Sequence, residues 1–115
     1  MPVTIYHNPQ CSTSRKTLEL IREAGIEPVV VDYRKAGWTK DLLKSLFRVM
    51  KAKPRDLLRV NGTPAEELGL TDPAVSDDRL LAAMIEQPIL VQRPIVVSDK
   101  GAILARPQEK VLEIL

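Results

Sequence analysis

One short stretch constrains this chain more than any other: a β-forming run that passes, through a polar loop holding a lone cysteine, into an amphipathic helix. Val3, Thr4, Ile5 and Tyr6 are β-formers. From Ser14 onward Thr17, Leu18, Ile21 and Ala24 recur at helical spacing, and Gly25 stands where a helix C-terminus places a left-handed residue. Between them lies His7-Asn8-Pro9-Gln10-Cys11-Ser12-Thr13-Ser14-Arg15. Cys11 therefore sits where a strand hands over to a helix N-terminus. Unpaired backbone N–H groups and the positive end of the helix dipole meet there. Both favour a thiolate over a thiol, and both favour a bound oxyanion. Ser12, Thr13 and Ser14 add hydroxyls, Arg15 adds a permanent charge, and Pro9 stiffens the entry. The loop reads as the seat of a nucleophilic cysteine. His7, at the strand end, is placed to orient the loop or to support the thiolate.

Several neighbouring chemistries are excluded. The second thiol of a Cys-x-x-Cys pair would stand at Ser14, so no internal dithiol forms. A Cys-x5-Arg phosphatase loop would need arginine where Thr17 stands. One cysteine and one histidine in 115 residues cannot furnish an ordinary metal site. A net charge of +2 argues for neither nucleic acid nor a membrane surface as partner. No apolar run approaches the length of a membrane span. Met1-Pro2-Val3 leads directly into the first strand without a signal-like segment. A lone reactive thiol fits a reducing compartment, so the expectation is a cytoplasmic protein.

The rest of the chain organises around this loop as a single domain, residues 1–115. Pro28-Val29-Val30-Val31-Asp32-Tyr33 is a nearly continuous β-branched run, read as a buried second strand. Strand, helix and strand within about thirty residues make a right-handed crossover with parallel strands. A helical insertion over about 39–87 follows. Thr39 caps a helix whose stripe is Leu42, Leu43, Leu46, Phe47 and Met50, with Trp38 packed just before the cap. Short helices are expected at Pro54–Leu58 and Pro64–Leu68. Ser76 caps another helix, with Leu80, Leu81, Met84 and Ile85 buried, and Pro88 ends it. Ile95–Ser98 and Ala102–Ala105 then form a hairpin around Asp99-Lys100-Gly101. A last helix follows Arg106-Pro107, with Val111, Leu112, Ile114 and Leu115 apolar. The order β-α-β, helical block, β-β-α is that of an α/β, thioredoxin-like (glutaredoxin-like) fold. Its four-stranded mixed sheet carries helices on both faces.

In that topology Arg93-Pro94, directly before the third strand, is where a cis-proline faces the reactive cysteine. Arg93 is thereby carried to the cysteine side of the sheet. Arg106 at the exit of the fourth strand, and Arg59 in the helical block, are candidates for the same cleft.

His7-Asn8-Pro9-x-Cys11-x-Thr13-Ser14-Arg15 resembles the signature of the glutaredoxin-coupled arsenate reductases, the ArsC family. The likeness extends to Leu57-Leu58-Arg59, Glu66-Glu67-Leu68-Gly69-Leu70, Pro88-Ile89-Leu90, Arg93-Pro94-Ile95-Val96-Val97 and Arg106-Pro107. Ending at Leu115, the chain resembles a short sibling branch of that family. The resemblance implies that Cys11 is the nucleophile, that His7 favours its thiolate, and that Arg59, Arg93 and Arg106 hold the oxyanion. Ser14 and Arg15 complete the binding loop. It implies no bound cofactor, arsenate or a similar oxyanion as substrate, glutathione as co-substrate, and glutaredoxin as partner.

The chemistry is coherent with these residues. A helix N-terminus and three guanidinium groups suit a tetrahedral oxyanion. Reduction of arsenate to arsenite takes two electrons, and a single cysteine cannot supply them as a disulfide. The need for an outside thiol follows from the cysteine count; its identity as glutathione follows from the resemblance. Two alternatives use the same loop: a glutathione-linked thiol oxidoreductase with another substrate, and a non-catalytic, regulator-type binding module. The regulators carry the Cys-x-x-Cys that Ser14 excludes.

Overall fold

The computed structural model describes residues 2–115. The chain divides into two compact units, one running to Ala36 and resuming over Arg93–Leu115, the other comprising Gly37–Gln92.

The first unit is built on four strands: β1 (Thr4–His7), β2 (Val29–Asp32), β3 (Ile95–Ser98) and β4 (Gly101–Leu104). Their order is β2-β1-β3-β4, with β1 parallel to β2 and antiparallel to β3, and β3 antiparallel to β4. This is the mixed sheet expected from the sequence. Ile5 pairs with Val96, and Val96 with Ile103, so one row of aliphatic side chains crosses three strands. Helix α1 (Ser12–Glu23) packs Ile21 onto that face. A C-terminal 3-10 segment, Gln108–Ile114, adds Val111 and Ile114, and with Val3 and Ala105 these make the core.

Two elements differ from the expectation. Val29 and Val30 are 61% and 41% exposed, so β2 is an edge strand rather than a buried one. A β-branched run marks strand propensity, whereas its place in the sheet is set by pairing. The last element is 3-10, not α-helical, and its three-residue period buries Val111 and Ile114 while leaving Leu112 55% exposed.

Helix α1 ends where Gly25 indicated. The Gly25 N–H donates to the Arg22 carbonyl at 2.9 Å and the Ile26 N–H to that of Ile21 at 3.3 Å, with Gly25 at φ +82°. That pair of bonds is a Schellman closure, and the positive φ is one that a side chain would strain. The chain then leaves β2 directly into a single helical turn, α2 (Tyr33–Ala36).

The second unit holds α3 (Lys40–Met50) and α4 (Asp77–Glu86), capped by Thr39 and Ser76, whose hydroxyls accept the N–H groups of Leu42 and Arg79 at 3.2 Å each. Trp38 is buried, and its indole N–H donates to the Pro88 carbonyl at 3.2 Å. Pro54–Leu57 is a 3-10 turn. Residues 64–68 close a single turn, through the Leu68 N–H and the Pro64 carbonyl, and do not propagate as a helix. On α4 the buried face takes Ala83 in place of Ile85, which is 37% exposed. Among the described residues no helix is long and apolar enough to cross a membrane.

Candidate active site

Strand alternation sets the floor of the site. Val3, Ile5 and His7 fall on one face of β1, the face α1 covers, so the imidazole meets the first turn of that helix. His7 Nδ1 lies 2.6 Å from Ser14 Oγ, both groups being buried. The Asn8 N–H also donates to Ser14 Oγ, at 3.1 Å. Ser14 thus ties the end of the strand to the start of the helix. Burial is the largest influence on His7 and holds its pKa below the usual 6.5; the Arg22, Arg15 and Arg34 charges reinforce this against Asp32. The imidazole is therefore mainly neutral at pH 7.

Asn8, Pro9 and Gln10 then turn the chain into α1. The Cys11 N–H donates to the Asn8 carbonyl at 3.0 Å, and the Gln10 N–H to Asn8 Oδ1 at 3.0 Å. Cys11 is the N-cap residue, extended at φ −93° and ψ 120°. Its carbonyl accepts the Arg15 N–H at 3.0 Å, while its side chain makes no capping bond. Cys11 is partly exposed. Burial alone would raise the thiol pKa, but the Ser14 backbone N–H and the Arg93 and Arg106 side chains donate to the sulfur and bring it below 9.0. The loop thus favours the thiolate, by hydrogen bonds as well as by charge.

The arginines divide by location. Arg106 Nη1 lies 3.9 Å from Cys11 Sγ and donates to the Arg93 carbonyl at 2.9 Å. Arg93 and Pro94 are joined by a cis peptide bond, as are Arg106 and Pro107. Arg93 reaches the sulfur, yet its Nε is buried with no hydrogen-bond partner. A buried, charged donor left without an acceptor is a position that a ligand oxygen would satisfy. Arg15 turns away: its exposed guanidinium donates to the Pro9 carbonyl at 2.8 Å and braces the loop from outside. Arg59 belongs to the second unit, where it donates to Gln92 Oε1 and to the Asn61 carbonyl, both at 3.2 Å.

The ArsC family profile matches residues 6–114, from the strand end before Cys11 almost to the C-terminus. The chain belongs to the ArsC family. An arsenate reductase of Rhizobium meliloti is 52% identical over 115 residues, spanning 100% of this chain and 82% of that protein. An arsenate reductase of Escherichia coli K12 is 51% identical over 113 residues, 98% of this chain and 80% of its own. Among solved structures, the arsenate reductase from Vibrio cholerae superposes with a TM-score of 0.95 at 45% identity, covering 100% of this chain and 98% of that one. The thioredoxin-like fold is thus shared with ArsC proteins across the full length.

Two residues of this ArsC site escaped the sequence reading. Asn8 is 6% exposed and engages its backbone N–H, its carbonyl and both side-chain atoms, Nδ2 donating to the Tyr33 hydroxyl at 3.4 Å. The Asn-Pro dipeptide was a turn signal from which this could have been drawn. Tyr33, fully buried, left no local signal, because it read as the last residue of a strand.

Proposed function

We propose that this chain reduces arsenate to arsenite, with Cys11 as nucleophile and glutathione as the outside thiol. One observation carries the reading: Arg93 and Arg106 both donate to the Cys11 sulfur, and the buried Nε of Arg93 has no acceptor. A tetrahedral oxyanion beside the sulfur would supply that acceptor and take charge-assisted hydrogen bonds from both guanidinium groups. The family resemblance assigns Arg59 a part in oxyanion binding as well, which the assay below tests in Arg59→Ala. The reductases named among its relatives support arsenate as that oxyanion.

In the first step the Cys11 thiolate attacks arsenic and an arsenate oxygen leaves as water after protonation, giving a Cys11–S–As(V) adduct. The thiolate of glutathione then attacks the Cys11 sulfur. The S–As electron pair stays on arsenic, which leaves as arsenite, and a Cys11–glutathione disulfide remains. Two thiolates have been oxidised and arsenic has gained two electrons. Glutaredoxin, by thiol–disulfide exchange at the glutathione sulfur, would return Cys11 to its thiolate. His7 acts in this scheme through Ser14, whose backbone N–H faces the sulfur. Ser14 and Arg15 support the loop.

The test is arsenate-dependent NADPH oxidation coupled through glutathione reductase, with glutathione and glutaredoxin present. Turnover above the background of a Cys11→Ser variant is expected. Absence of arsenate-dependent turnover by a folded protein with an alkylatable Cys11 overturns the assignment of substrate.

A further inference from the structure

We infer that Tyr33 is a positioning residue: its buried hydroxyl fixes the Asn8 side chain and, through it, the turn that presents Cys11 to Arg93 and Arg106. Every polar group of Asn8 has a partner. Asn8 Oδ1 accepts the Gln10 N–H at 3.0 Å, and a backbone N–H can only donate. The other end of the amide is therefore Nδ2, a donor, and it points to the Tyr33 hydroxyl at 3.4 Å. The remaining groups of Asn8 are spent on the loop itself: its carbonyl accepts the Cys11 N–H and its N–H donates to Ser14 Oγ. Tyr33 thus ties Asn8 to an element twenty-five residues away in the chain.

Tyr33 suits such a role. It is 0% exposed, which keeps its ring from wandering. Burial, foremost, pushes its phenol above the usual 10.0, so it stays a neutral hydroxyl that can accept from the amide. It opens α2, directly after Asp32, which pairs with His7 in the sheet, so the strand register sets where the hydroxyl stands. Without that acceptor, Nδ2 of a 94%-buried asparagine would be unpaired, and the turn would relax away from the geometry in which Ser14 N–H and the arginines meet the sulfur.

The inference rests on Cys11 as the reacting thiol, but its test needs no arsenate, so it can fail or hold independently of the substrate. Iodoacetamide alkylation of Cys11 is followed against pH in the unmodified protein, in Tyr33→Phe, in Asn8→Ala and in the double variant. Tyr33→Phe is expected to raise the apparent thiol pKa by about half to one unit, slowing alkylation at neutral pH roughly three- to tenfold. In the Asn8→Ala background the same change should do nothing further, because the link is already cut. An unaltered pH profile in Tyr33→Phe, or an equal shift in both backgrounds, overturns the proposal. Should Tyr33→Phe not fold, nuclear magnetic resonance of the unmodified protein decides. The Asn8 side-chain amide protons should be protected from solvent exchange and should shift as Cys11 titrates; rapid exchange with no shift overturns it.

Discussion

Arg106 holds its guanidinium 3.9 Å from the Cys11 sulfur and, with the same Nη1, donates to the carbonyl of Arg93 at 2.9 Å. One side chain therefore links the cysteine loop to the segment before β3. Arg106→Ala should move the alkylation midpoint of Cys11 up toward 9.0, since one of the donors that lowers it is lost. Each charge-assisted bond is worth roughly 1.5–3 kcal/mol, so arsenate KM should rise about ten- to a hundredfold. Arg106→Lys keeps the charge without the planar fork and should recover only part of this. An unchanged midpoint in Arg106→Ala would show that the guanidinium does not support the thiolate.

Ser14 carries two buried groups on one hydroxyl, the His7 imidazole and the Asn8 N–H. Ser14→Ala leaves both without that partner and should cost about 1–3 kcal/mol per unsatisfied group, read as a lower midpoint in urea denaturation. Thiol reactivity should fall as well, because the backbone N–H of residue 14 is no longer anchored from below. Stability equal to that of the unmodified protein would place the His7–Ser14 contact outside the native core.

His7 predicts a pH dependence of stability whose sign is set by its burial. Its folded pKa lies below 6.5, so on lowering the pH the unfolded chain takes up a proton first. The contribution is complete above 6.5 and is lost as pH falls from 6.5 toward the folded value. Denaturation between about pH 7 and 5, above the range where carboxylates titrate, should show a decline that His7→Gln flattens. A steeper decline in the variant would reverse the assignment.

The single cysteine makes the electron source testable. Protein trapped with arsenate and glutathione should carry one glutathione, on Cys11, by mass spectrometry, and Cys11→Ser should carry none. Thioredoxin without glutathione should support little turnover, because the chain has no second thiol with which to present a disulfide. Robust turnover under that condition would remove glutathione from the mechanism.

Local and tertiary determinants divide this chain. Alternation along β1, helical spacing along α1, the caps at Thr39 and Ser76 and the closure at Gly25 are local, since each depends on neighbours within a turn or a strand. These the sequence by itself determined, and with them the strand–loop–helix junction that puts Cys11 at a helix N-terminus. Where local signals were weak, packing and register decided. Pro64–Leu68 closed one turn and stopped, Ile85 and Leu112 stayed exposed, and β2 took an edge, because burial depends on what lies opposite. The site shows the same division. The cysteine and its hydroxyl-rich loop are contiguous residues, legible as one stretch of sequence. That Arg106 meets the sulfur while Arg15 turns to Pro9, that His7 answers to Ser14, and that Tyr33 holds Asn8 are choices of hydrogen-bond partner. The Arg106 and Tyr33 contacts form only when segments far apart in the chain come into register, whereas those of His7 and Arg15 close within the loop once β1 and α1 pack against each other.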